Sequence, residues 1–262
     1  MSVRNAKMPD PTPPRTPASA GESESGSIEQ ALPTSYSVRL GVLLAVVGGA
    51  LDAYTFVSRD GVFANAQTGN IVLLGVEAAK RQWWQALQHV PPILAFLVGV
   101  VVAESLRRPR VVAVVRRPAR GALVLEILVL IGVGFIPAAA PDSLVTVTIA
   151  FVASVQVSSF RTLVDTAYNT TMTTGNLRTV MQSAYLAAVE RDGAAARRAR
   201  RFAAVICGFL LGAVGGAWLT GVLGTHAVWV MSVVLVMGLA LFLHDERVLA
   251  RRAVGPGRRG HG

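Results

Sequence analysis

Asp52 is the residue of greatest chemical consequence, because it is a carboxylate set about two thirds of the way along the first long apolar run, residues 38 to 57. An ionised carboxylate at such depth costs about 2.5–3.5 kcal/mol on insertion scales, so something must offset it. It is either a structural carboxylate, protonated or hydrogen-bonded to a neighbouring helix, or a substrate or proton site lining a cavity.

Two identical triplets follow the same logic. Thr68-Gly69-Asn70 and Thr174-Gly175-Asn176 each stand just before a short apolar stretch. Thr and Asn can cap exposed helix N–H groups there, and Gly allows a close approach. If both short helices start near the bilayer midplane, their N-terminal dipoles converge on a polar constriction suited to an anionic or neutral solute. Capping and permeation both remain open at this point.

The neighbouring stretches 58 to 67 and 164 to 173 would be irregular backbone at membrane depth, tolerated only inside protein or beside a watery cavity. Asn65, Gln67, Asn169, Thr170, Thr171 and Thr173 are there to satisfy peptide groups or to coordinate a solute. Gln156 and Glu126 are further pathway candidates, Glu126 lying six residues past Arg120 and within expected reach of water. Arg178 either reinforces the positive helix end or snorkels. Glu104 precedes Arg107 and Arg108 at a spacing that suits an interfacial ion pair.

Enzyme chemistry finds no support. His89, His226, His244 and His261 have neither metal-ligand spacing nor a partnered nucleophile, and no glycine-rich phosphate loop is present. The lone Cys207 permits no intramolecular disulfide. No catalytic residue, metal or cofactor is expected.

These residues must be positioned by helices in lipid. Hydrophobic residues make up 52% of the 262 and charged residues 15%, with a mean hydropathy of +0.50, too apolar for a soluble domain of this length. Eight apolar segments can be marked, at about 38 to 57, 69 to 79, 90 to 106, 121 to 136, 144 to 160, 177 to 189, 202 to 220 and 226 to 243. The second and sixth are short for a hydrocarbon core about 30 Å thick.

The triplets lie 106 residues apart in matching slots, and segments three and four pair with seven and eight in order and approximate length, which indicates an internal duplication. Net charge is +10, but the arginines sit in a few connections rather than along a nucleic-acid-binding face. Arg107, Arg108, Arg110, Arg116, Arg117 and Arg120 lie between segments three and four, and Arg191, Arg197, Arg198, Arg200 and Arg201 precede segment seven. The carboxyl-terminal tail adds Arg247, Arg251, Arg252, Arg258 and Arg259. All three should be cytoplasmic, and the loops near Pro141 and Thr225 external.

Eight full crossings would put one of these basic loops outside, so the two short segments must enter and leave by the same face. The expectation is an all-α polytopic protein of a cytoplasmic-type cell membrane. It has six crossings, two re-entrant or half helices, a 3+3 inverted repeat and both termini cytoplasmic. Trp83, Trp84, Trp218 and Trp229 then fall at the outer interface. The domains read as a disordered cytosolic tail over 1–37, membrane repeats over 38–143 and 144–244, and a basic cytosolic tail over 245–262. Gly208, Gly212 and Gly216, echoed by Ala95, Gly99 and Ala103, should join the halves or pack a homodimer.

The stretch Gly48-Gly49-Ala50-Leu51-Asp52-Ala53-Tyr54-Thr55-Phe56, with Gly61-Val62-Phe63-Ala64-Asn65 and Thr68-Gly69-Asn70, resembles the YoaK family of bacterial membrane proteins. The resemblance spans about residues 38 to 243 and implies a six-crossing membrane protein, catalogued as a domain of unknown function, with no substrate. This chain departs from the family in having Gln67 where methionine precedes the first triplet. It also has Gln156-Val157 where members carry Gln-Asn. The leading functional expectation is a small-solute or ion transporter or channel, with the lipid bilayer and that solute as partners and no nucleic acid. The alternative is a noncatalytic scaffold or regulatory subunit.

Overall fold

The computed structural model of the chain describes residues 38–108, 118–160, 162–163, 166–167 and 173–254. The expected amino-terminal tail and Arg110, Arg116, Arg117, Asn169, Thr170, Thr171, Arg258 and Arg259 lie outside them. The elements are α1 (Val38–Ser58), α2 (Gln67–Ala79), α3 (Trp83–Gln88), α4 (Val90–Leu106), α5 (Pro118–Val133), α6 (Asp142–Ser159), α7 (Thr173–Val189), α8 (Gly193–Leu223) and α9 (Ala227–Val254). A two-residue antiparallel pairing joins Thr162–Leu163 to Thr166–Ala167, and a single 3₁₀ turn, Gly224–His226, joins α8 to α9.

Four stretches are long and apolar enough to cross a membrane: Val38–Ser58, Trp83–Leu106, Asp142–Ser159 and Gly193–His244. The last contains α8 and α9, which run in opposite directions on either side of the 3₁₀ turn. Gly208, Gly212 and Gly216 meet Val42, Val46 and Ala50 in turn, so α8 runs parallel to α1. Leu40 meets Gly238, whereas the Tyr54 hydroxyl donates to the Thr225 carbonyl, so α9 runs antiparallel to α1.

The same reasoning orders the other long helices. Gly99 packs on Phe151 and Ser154, and the Arg107 guanidinium donates to the Ser158 carbonyl, so α4 and α6 are parallel. Arg59 at the end of α1 pairs with Asp142 at the start of α6, which sets this pair against α1. Arg120 pairs with Glu246, and Trp229 Nε1 donates to the Ile131 carbonyl at 3.1 Å, so α5 is antiparallel to α9. Helices α1, α4, α5, α6, α8 and α9 therefore alternate in direction along the chain. One end of the bundle carries all four tryptophans, and the other carries Arg107 and Arg120.

The main core is built by α1, α5, α6 and α9, through Leu44, Leu51, Leu130, Ile149, Met231 and Leu235 among others. Large apolar side chains also cover the outside: Leu94, Leu97 and Val101 on α4, Leu210, Leu211 and Val214 on α8, Val233 and Met237 on α9. Water would not tolerate so continuous an apolar exterior, whereas hydrocarbon solvates it. Together with the four apolar stretches, this exterior fits a multi-pass membrane protein.

Several expected boundaries shift. Helix α8 begins at Gly193 rather than near 202, so Arg197, Arg198, Arg200 and Arg201 lie on its first turns and not in a loop. Helix α9 continues to Val254, through the start of the expected tail. Helix α3, carrying Trp83 and Trp84, was not anticipated. The short sixth segment starts at Thr173 and is a 17-residue helix. In α7, α8 and α9 the helix outlasts its apolar run, because Ala, Arg and Gln favour helix as strongly as many apolar residues do.

The glycine stripe joins α8 to α1. A Cβ at Gly216 would lie 2.6 Å from Ala50 Cα, and one at Gly212 would strike the Val46 backbone, whereas Gly215 and Gly221 face open space. Gly216→Val and Gly212→Val should therefore each cost about 2–3 kcal/mol or more by overpacking. Gly215→Val and Gly221→Val should leave the detergent-solubilised melting temperature within a few degrees, as thermal unfolding of the four variants would record.

Candidate functional site

The chain leaves α1 at Ser58 and turns back along it. Backbone N–H groups in this returning segment have few regular partners, so side chains supply them. Asp52 Oδ1 accepts from the N–H of Asn65 at 2.6 Å and of Ala66 at 3.3 Å. Thr55 Oγ1 accepts from Ala64 N–H at 3.1 Å. Asn70 Oδ1 accepts from Phe63 N–H at 2.9 Å, while its Nδ2 donates to the Phe63 carbonyl at 2.8 Å. With Gly61, Val62 and Gln67 bonded to backbone carbonyls, every N–H from Gly61 to Gln67 is satisfied.

Depth follows from the partners. Asp52 lies six residues before the end of α1, so the segment descends about 9 Å at the helical rise of 1.5 Å per residue. Asn65 Nδ2 reaches one turn further to the Gly48 carbonyl at 3.3 Å. Helix α2 starts at this level and leads back toward α3 and α4, whose first residues share the tryptophan-bearing end of the bundle.

The first triplet works differently from the capping scheme expected of it. Helix α2 opens at Gln67 with Ala66 as its N-cap and no side-chain cap there, and Thr68 is exposed. The negative group at the helix start comes from another helix, Asp52 of α1. Asn70 clamps the preceding loop instead of the helix. Gly69 does provide the close approach, since a Cβ there would lie 2.9 Å from the Phe63 ring.

Asn70 also organises a chain of side chains that sequence reasoning missed. Its Nδ2 donates to Gln67 Oε1 at 2.9 Å, and its Oδ1 lies 3.4 Å from Nδ1 of buried His89. The other ring nitrogen lies 3.2 Å from Glu77 Oε2. The Phe63 peptide fixes which end of the Asn70 amide is oxygen, so His89 Nδ1 must be the protonated donor. His89 sits at the end of an apolar run, the usual address of an interfacial residue, and its burial comes from α2 folding over it.

The second triplet lies at the start of α7, with Asn176 buried as Asn70 is, and Thr174 and Gly175 exposed. No described atom approaches within 4 Å of a Cβ at Gly175. Gln156 is buried but is not brought to Asp52, because α6 opposes α1 and the two side chains sit about 10 Å apart along the bundle axis at 1.5 Å per residue. Glu126, on α5, is 1% exposed and does not reach water as expected; its Oε2 has no partner among the described residues. The expected Glu104 and Arg107 pair forms at 4.0 Å. Among the described residues no three of His, Cys, Asp and Glu are grouped to hold a metal ion.

Two acceptors in the first cluster stay open. Asp52 Oδ2 and Asn65 Oδ1 are buried with no hydrogen-bond partner among the described residues, so each keeps a lone pair that a proton or a hydrogen-bond donor would satisfy. Asp52→Ala should destabilise the protein by about 1–3 kcal/mol for each buried N–H it orphans. Asp52→Asn, whose amide oxygen can accept in the same place, should melt close to the parent. Thermal unfolding in detergent compares the two.

Neither a curated protein nor a solved structure matches the chain. The model of the family described as "Protein of unknown function (DUF1275)" matches residues 40–241, which include Asp52, both Thr-Gly-Asn triplets and the glycine stripe of α8. The chain therefore belongs to this family, the one that its motif from Gly48 to Asn70 resembles.

Proposed function

We propose that the chain is a small-solute or ion transporter or channel whose pathway runs between two inverted halves, with Asp52 and the two Thr-Gly-Asn helices at its centre. The observation that carries this reading is the segment between α1 and α2, irregular backbone held at the depth of Asp52. Proteins keep such backbone within a membrane where it is buried or lines a passage, and discontinuous helices are the usual builders of transport sites. The oxygens of Asp52 and Asn65 that lack a partner among the described residues suit a proton or a hydrogen-bond donor.

The inverted plan draws support from the cross-pairing of the halves. Helix α1 of the first half packs parallel to α8 of the second, and α4 of the first packs parallel to α6 of the second. A pseudo-twofold axis in the membrane plane would exchange these two pairs. Arginines at one end and tryptophans at the other favour a cytoplasmic face at the arginine end, with both termini on it.

The competing reading is a noncatalytic membrane module, favoured by the fact that Asp52 Oδ1 already has a structural task in holding Asn65 and Ala66. Flux separates the two. Proteoliposomes carrying the parent protein should pass ions or small polar solutes faster than empty vesicles, and Asp52→Asn, folded and inserted, should lose at least tenfold of that flux. Equal flux in parent and variant, or none above empty vesicles, favours the module.

Topology is tested independently. In a Cys207→Ser background, cysteines at exposed Gln85 and Ala194 should label from opposite sides of the membrane. Labelling of both from one side would remove the inverted halves and the central pathway.

A further inference from the structure

Helix α8 has two unlike faces. Gly208, Gly212 and Gly216 are buried against α1, whereas Ala204, Cys207, Leu211, Val214 and Trp218 are exposed at the three- and four-residue spacing that keeps them on one side of the helix. The exposed row does not stop where the apolar residues stop. It continues backward through Arg200 and Arg197, both exposed.

The length of this row matches a bilayer. Arg200 and Arg197 precede Trp218 by about 27 and 32 Å at the helical rise of 1.5 Å per residue. A hydrocarbon core is about 30 Å thick, so with the Trp218 indole at one interface the two guanidinium groups reach the headgroups of the other leaflet. Helix α7 gives the same level. It ends at Val189, α8 starts at Gly193, and Val180 packs on the cluster that holds Phe202, so the two helices run antiparallel and Tyr185 stands level with Arg197. Tyr185 is exposed, as an interfacial tyrosine is.

Arg197 and Arg200 form no hydrogen bond or ion pair with a described residue. Arg107 and Arg120, at the same end of the bundle, have acceptors in the Ser158 carbonyl and Glu246. Packing therefore accounts for those two arginines and leaves Arg197 and Arg200 unexplained. From Glu190 to Arg201 five arginines stand against two carboxylates. One of the two, Asp192, is committed to capping, since its Oδ1 accepts from the Ala194 N–H at 2.7 Å. The positive charge offered here is thus that of guanidinium groups and not of a bare helix end. Residues three apart on a helix have Cβ atoms about 5–6 Å from each other, so Arg197 and Arg200 can hold one phosphate between them.

The apolar continuation of the row selects the partner. A soluble anion or a nucleic acid would meet the arginines and leave the rest uncovered, whereas a phospholipid has a phosphate and an acyl chain in line. Ala204 and Cys207 are small, so the chain can lie close to the helix directly beyond the arginines. A headgroup with its own cation would bring like charge to the guanidinium groups, and an anionic one would not.

We propose that the exposed row of α8 binds an anionic phospholipid, its phosphate between Arg197 and Arg200 and an acyl chain along Ala204, Cys207 and Leu211. The site rests on α8 and the end of α7 alone and needs neither flux nor inverted halves.

The test uses the chain's single cysteine, Cys207, which is exposed on this row. The full chain carries a bimane fluorophore there and sits in nanodiscs of phosphatidylcholine with a minor fraction of phosphatidylglycerol. Each lipid in turn is supplied with brominated acyl chains, and the quenching by each gives its share of the places beside the label. Phosphatidylglycerol should exceed its bulk share by about fivefold or more. Arg197→Gln with Arg200→Gln should return it to the bulk share. Lys80→Gln with Arg81→Gln removes the same charge at the tryptophan-bearing end and should leave the enrichment in place. All four positions are exposed, so both variants should melt with the parent. A bulk share beside the parent's label overturns the proposal, as does enrichment that survives the loss of Arg197 and Arg200. Enrichment lost equally in the Lys80 and Arg81 variant also overturns it, because net charge rather than this row would then be the cause.

Discussion

The structure depends on satisfying the peptide groups of a chain segment that turns back into apolar surroundings. A buried N–H without an acceptor costs about 1–3 kcal/mol, and seven in succession would exceed any gain from packing the segment there. Asp52, Thr55 and Asn70 take four of these groups, and local carbonyls take the rest. The requirement explains why a carboxylate is tolerated so deep in α1. It accepts two hydrogen bonds at the start of a helix, which offset part of its desolvation.

Helix α1 meets this demand because it serves three partners at once. Val42, Val46, Gly49 and Ala50 face α8, and Leu40, Leu44, Leu51 and Tyr54 face the core. Gly48, Asp52 and Thr55, spaced by four and three residues, face the returning segment. A helix that is apolar on two sides and polar on a narrow third has no single wet face. The glycines of α8 permit the close approach that leaves α1 buried along most of its length, and this burial excludes water from Asp52.

Much of the plan was legible in the sequence because lipid imposes simple rules. The third apolar run coincides with α4, Val90–Leu106, and Arg107 and Arg120 fall at the opposite end of the bundle from the tryptophans, as charge and amphipathicity require. The placement of the triplets before short helices was legible too. What escaped were contacts between distant elements. Nothing local marks Asp52 as the partner of Asn65, His89 as the bridge from Asn70 to Glu77, or Arg59 as the partner of Asp142 across 83 positions. The extension of α8 escaped for another reason. Its first turns are rich in Ala and Arg, which form helix readily but do not register as apolar.

Structural and chemical readings of Asp52 are compatible because its two oxygens have different surroundings. Oδ1 is committed to the returning segment, whereas Oδ2 is buried without a partner among the described residues. A proton or donor arriving at Oδ2 leaves the acceptor lone pairs of Oδ1 in place, so occupancy can change without releasing the loop. Charge is the quantity that changes: neutralising the carboxylate weakens its attraction to the start of α2 while the hydrogen bonds persist. A carboxylate bound by one oxygen can therefore anchor the start of α2 and keep a free acceptor on the other, which a residue consumed by capping on both oxygens could not do.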